Sequence, residues 1–100
     1  MQSFTLTNKA VADLKDIGRY TLEHWGREQR NVYLQMLDAS FHQLAANPLR
    51  GTDCSDIRDG YRKLHAGSHV IFYRQKSSAM IEIVRILHGH MDCETRLTSP

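Results

Sequence analysis

Long apolar runs are absent from this 100-residue sequence. The longest, Val70-Ile71-Phe72-Tyr73, falls far short of the roughly 20 residues that a membrane-spanning helix needs. Met1 to Lys9 holds no apolar stretch of signal-peptide length, so the chain is expected to remain in the cytoplasm, away from membranes. Cysteine is scarce. Cys54 and Cys93 fall in loop-like sequence and are read as free thiols, which excludes a disulfide-stapled scaffold. Pro48 and Pro100 are the only prolines, and no repeat, linker or low-complexity stretch divides the chain. One domain over residues 1–100 is expected, with about 93–100 as a tail.

A charge bias of one sign is missing as well. The 13 basic and 11 acidic residues leave +2, and the halves divided at residue 50 carry 6 minus 5 and 7 minus 6. Proteins that blanket nucleic acid carry a stronger bias, so general polyanion binding is disfavoured. No Walker loop, GxGxxG, HExxH, GxSxG or paired-cysteine zinc pattern occurs. The common nucleotide, metalloprotease and hydrolase chemistries therefore lack their signatures, and no cofactor is expected.

What is present is periodicity. Phe4 and Leu6 alternate with Thr5 and Thr7, a short strand signal, and Thr7 or Asn8 can cap a following helix. Ala10, Leu14, Ile17, Thr21 and Trp25, with Tyr20 beside them, step by three or four along one helical face. Asp13, Asp16 and Arg19 are assigned to the solvent side. Gly26 is a natural terminator. A second helix is read from about Arg27 to Ala46, with Tyr33, Met36, Leu37, Phe41 and Leu44 as its stripe, ended by Asn47-Pro48. The short link predicts an antiparallel helical hairpin.

Beyond Pro48 the period changes. Leu49 to Asp56 reads as a loop, followed by strands over Ile57–His65, Ser68–Gln75 and Ala79–His88 with hairpin-length links. The last strand is apolar on both faces and is expected to be the most buried. The order is β-α-α-β-β-β, an α+β fold with the hairpin packed on a small antiparallel sheet.

Few residues point to chemistry. His88, His90, Asp92 and Cys93 lie close in sequence, as metal ligands can, but three or four must converge and Gly89 interrupts them; local hydrogen bonding or a binding surface is the favoured reading for the histidines. Between residues 58 and 85, Arg58, Arg62, Lys63, Arg74, Lys76 and Arg85 stand against Asp59 and Glu82, 6 minus 2 for a local +4. They form either a cationic face for a nucleic acid or an acidic peptide, or protected strand edges. Arg85 sits between Val84 and Ile86, so its charge needs a partner. Trp25 and Tyr20 are read as hairpin core, with a binding anchor as the alternative. Neither Cys54 nor Cys93 has a motif that would make it a nucleophile.

Read in order, these blocks resemble the ParE toxins of the RelE/ParE superfamily. The resemblance is carried by Leu6-Thr7, Asp13-Leu14, Tyr20-Thr21, Trp25-Gly26, Tyr33 and Asn47-Pro48 in the first half. In the second it is carried by Ile57-Arg58-Asp59-Gly60-Tyr61-Arg62, Gly67-Ser68-His69 to Arg74, Ile83-Val84-Arg85-Ile86-Leu87-His88 and Met91-Asp92. It spans about Phe4 to Asp92. The resemblance implies a type II toxin that poisons DNA gyrase by binding, with no catalytic residue. It further implies a hetero-oligomer with a ParD-like antitoxin, through which the toxin meets operator DNA indirectly. Arg58, Arg62, Arg74, Arg85, His88 and Trp25 are the expected contacts to target or antitoxin. The superfamily's RelE branch cleaves messenger RNA on the ribosome; were this chain of that type, Arg62, Arg85 and His88 would be its catalytic remnants. That branch generally adds an aromatic near the end of the last strand, where this chain has Gly89.

Overall fold

The computed structural model describes residues 3–89. The elements run β1 (Ser3–Leu6), α1 (Asn8–Trp25), α2 (Arg27–Ala46), β2 (Thr52–Asp53), β3 (Tyr61–Ala66), β4 (His69–Ser77) and β5 (Met80–His88). The tail expected at about 93–100, Cys93, and three of the four residues weighed as metal ligands (His90, Asp92 and Cys93) lie outside the described residues.

Thr7 starts α1 as expected. Its hydroxyl oxygen accepts from the Ala10 N–H at 3.0 Å, and its proton goes to the Val84 carbonyl at 2.7 Å. One side chain thus caps the helix and pins it to β5. At the other end Gly26 has φ +91°, open to glycine at little cost, and closes α1 through a bond to Leu22 O while leading into α2. Gly18 is buried between the helices, and a Cβ there would make ordinary contact with Leu34 Cδ1 at 3.5 Å.

The sheet is mixed, with the order β1-β5-β4-β3-β2. This corrects the antiparallel expectation: β1 lies parallel to β5, pairing Ser3 with Met80 through Leu6 with Ile83. The reason is burial. β5 is apolar on both faces and takes a neighbour on each edge, and the helical hairpin returns the chain so that β1 fills the outer one.

Two further boundaries move. The expected loop contains the short strand β2, paired with Lys63 and Arg62. Ile57–Gly60 forms a turn, not a strand, because Gly60 takes φ +81° and Cys54 O accepts the Ile57 and Arg58 N–H groups.

Ile17, Leu37, Phe41 and Leu44 pack on Ile71, Tyr73, Ile81, Ile83 and Ile86 as the main core. On the opposite sheet face, the Cys54–Gly60 segment covers a second cluster of Cys54, Val70, Phe72 and Leu87. Burial raises the Cys54 thiol above its ordinary value, leaving it a core residue rather than a nucleophile. Tyr73 is fully buried; its hydroxyl donates to Pro48 O at 2.7 Å and accepts from Gly51 N at 2.9 Å, tying the loop after α2 to the sheet.

Two α1 assignments are overturned. Trp25 and Tyr20 are 70% and 59% exposed, not core. Each four-residue step drifts about 40° around the helix, so the stripe rotates off the sheet by Trp25, while Tyr20 sits on the other flank of Ile17. Asp13, assigned to solvent, occupies that same flank two turns before Tyr20 and is half-buried against β5.

Candidate functional site

Strand β1 ends at Leu6, so β5 beyond Ile83 faces α1 instead of another strand. Asp13 fills this gap. Its carboxylate accepts Arg85 Nε at 2.8 Å and Arg85 Nη2 at 2.9 Å, and also the Ile86 backbone N–H at 2.9 Å. The side chains are 17% (Arg85) and 13% (Asp13) exposed. The hydrogen bonds from Asp13 raise the Arg85 pKa against the opposing effect of burial. The partner that the sequence demanded for Arg85 is therefore internal.

One turn further along α1, the helix lifts away from the end of the sheet and leaves a cleft of about 890 Å3. Asp16, Ile17, Tyr20, Thr21 and Trp25 form one wall, with Gln29 and Tyr33 of α2 beside them; Ser68, His69 and His88 form the other. The β3–β4 turn is fastened here. Gly67 has φ +60°, and a Cβ on it would meet the Tyr33 hydroxyl at 2.8 Å. The Tyr33 oxygen accepts the Ser68 N–H at 3.0 Å and lies 2.5 Å from His69 Nδ1. A neutral imidazole with Nδ1 unprotonated accepts the phenolic proton across this contact, whereas the tautomer carrying Nδ1–H donates to the phenolic oxygen instead. The His88 ring meets His69 edge-on with centroids 5.4 Å apart. Burial, then the neighbouring His88, pushes His69 below its ordinary value, with Asp13 opposing.

The structure brings His88 and Trp25 together in this cleft and disperses the remaining cations. Arg62 donates from Nε to Gly51 O at 3.1 Å and from Nη2 to Leu49 O at 3.2 Å. Arg74 pairs with Glu82 at 2.8 Å, and Lys76 approaches the same carboxylate at 3.8 Å. The Arg58 guanidinium lies 5.8 Å from the Tyr61 ring centroid. Arg62 is four residues along β3 from Ala66, the residue aligned through His69 with His88. That is about 13 Å of strand plus two strand spacings of about 4.8 Å. Arg62, Arg85 and His88 therefore do not converge. Among the described residues no cluster of three or more His, Cys, Asp or Glu side chains is placed to hold a metal.

The sequence missed Asp13, Tyr33 as a polar group, and His69. Asp13 was legible on a helical wheel, at the rim of the stripe. Tyr33 and His69, 36 positions apart, meet only in the fold.

A chain of the chromosomal ParDE toxin–antitoxin system from P. aeruginosa superposes with a TM-score of 0.75 at 26% identity, covering 88% of this chain and 96% of that one. The toxin–antitoxin complex RelBE2 of Mycobacterium tuberculosis shares the fold, with a TM-score of 0.64 at 20% identity over 87% of this chain and 90% of that one. The family described as ParE toxin of type II toxin–antitoxin system, parDE, matches residues 4–93. Toxin ParE1 of M. tuberculosis is 43% identical over 94 residues, covering 94% of this chain and 96% of the relative. Toxin ParE1 of Caulobacter vibrioides is 38% identical over 97 residues (97% and 99%), and Toxin ParE of Escherichia coli 34% over 97 residues (97% and 94%). The chain belongs to the ParE toxin family: it is the toxin of a type II toxin–antitoxin system, with an antitoxin as partner. Among the described residues no helix is long and apolar enough to cross a membrane.

Proposed function

We propose that this toxin acts in the cytoplasm by binding and inhibiting DNA gyrase, without itself catalysing a reaction, and that a ParD-like antitoxin neutralises it. The observation carrying this reading is the commitment of its cations. Cleaving an RNA phosphodiester requires positive groups aimed at the scissile phosphate and a base for the 2′-hydroxyl. Arg85 is instead held by Asp13, and Arg62 by two loop carbonyls at the other end of the sheet.

The antitoxin reading has its own support. The outer groove between α1 and α2, of about 500 Å3, sets Lys15, Arg19 and Arg30 against Asp38, around Leu22 and Leu34. An acidic amphipathic arm that folds as it binds suits this mixture of charge and apolar surface. Operator DNA is then reached through the antitoxin.

Purified toxin added to gyrase, supercoiled DNA and nucleotide, and in parallel to translating ribosomes, tests the reading. Inhibited supercoiling or trapped cleaved DNA, with message intact, is the expected result. Codon-position cuts in the message with gyrase unaffected would overturn it.

A further inference from the structure

We propose that the cleft between α1 and the β3–β4 turn is the surface that grips the target, and that its occupant is a segment of the gyrase polypeptide carrying an apolar or aromatic anchor beside a basic residue. This rests on the gyrase reading above. Trp25 and Tyr20 overhang the cleft at 70% and 59% exposure, although each is large enough to bury substantial area. Exposed aromatics beside a concave, largely apolar wall have the composition of an interface hot spot.

Charge selects the occupant. Asp16 is the one formally charged side chain lining the cleft among the described residues, and no lysine or arginine lines it. At His69, burial and the neighbouring His88 disfavour the charged form. Among the described residues, phosphates, whether of DNA or of a nucleotide, meet no lysine or arginine in the cleft lining, whereas a basic side chain meets Asp16. An acidic antitoxin arm is drawn instead to Lys15, Arg19 and Arg30, in the groove along the other side of α1. The two sides of one helix thus offer opposite electrical character to two partners. Asp16 lies 3.8 Å from Arg19 at a well-exposed position, where the pair is weak enough to exchange for an incoming cation.

The test uses full-length toxin carrying Trp25→Ala, Tyr20→Ala or Asp16→Lys, with Val32→Ala, exposed outside the cleft, as control. Three quantities are measured: the concentration that half-inhibits supercoiling, binding to gyrase without DNA, and affinity for the antitoxin. Trp25→Ala is expected to weaken both gyrase measures by about 10-fold or more, the range of interface anchors. Antitoxin affinity should stay within about threefold, which also reports an intact fold. Val32→Ala should change none of them. Wild-type toxin that leaves gyrase active defeats the functional reading and this proposal with it. Wild-type inhibition retained in full by Trp25→Ala, Tyr20→Ala and Asp16→Lys defeats the proposal alone. Gyrase binding that appears only with DNA present, or folded variants that lose antitoxin affinity in step, also overturn it, by giving the cleft to DNA or to the antitoxin.

Discussion

Asp13 and Arg85, 72 positions apart, form a two-pronged ion pair in which the same carboxylate also takes the Ile86 N–H. The pair does what another strand would do: it satisfies the edge of β5 where β1 has ended. Removing one partner is therefore costly. Asp13→Ala leaves a largely buried guanidinium and an unmet backbone donor, and is expected to lose about 2–4 kcal/mol in urea denaturation. The double variant Asp13→Leu/Arg85→Met should recover the part of that loss due to the stranded charge, while the Ile86 N–H stays unmet. A single-variant loss below about 0.5 kcal/mol would show that the pair does not secure the edge.

The burial of His69 beside His88 makes stability depend on pH. His69 holds its proton less tightly in the folded protein than in the unfolded chain, because burial and His88 disfavour the cation. As pH falls through about 6.5 the unfolded chain takes up the proton first. The contribution is whole above that value and is lost progressively until the folded His69 also titrates. His88→Gln removes the neighbouring imidazole that disfavours the cation and should raise the His69 midpoint in NMR titration, flattening the acid slope. A His69 midpoint at or above the ordinary histidine value in the wild type would contradict this.

Phe41 is 3% exposed at the junction of α2, β1 and the main sheet face, with its ring 5.5 Å from that of Phe4. Phe41→Ala is expected to cost about 3–5 kcal/mol, read from chemical denaturation at constant m-value. A cost under about 1 kcal/mol would mean that the hairpin is not seated on this residue.

His88→Gln separates binding from catalysis. A glutamine amide retains hydrogen-bonding capacity at the cleft wall, so gyrase inhibition should change by less than about tenfold. Loss of a general acid or base removes about 10²–10⁴-fold in rate, so a toxicity loss of that size in a folded variant would point to proton transfer.

Periodicity alone determined most of the elements. The stripe from Ala10 to Thr21, the one from Tyr33 to Leu44 and the two-faced apolar strand ending at His88 set helix and strand, because each pattern can bury its face in only one conformation. The cap at Thr7 and the stops at Gly26 and Asn47-Pro48 were local and equally readable. The order of the main elements followed from these, while the family was carried by the resemblance of the residue blocks. The parallel pairing of β1 was not local: it depends on which strand has an open edge once the meander forms. The cleft was hidden for the same reason. Tyr20 and Trp25 carry the spacing of a core stripe, and only helix rotation over a sheet of finite extent turns them outward. The cations looked alike in sequence as well. Tertiary structure assigned Arg85 to Asp13, Arg62 to the loop carbonyls and Arg74 to Glu82, since a charge's role is set by the groups within a few ångströms of it, and those groups arrive from distant parts of the chain.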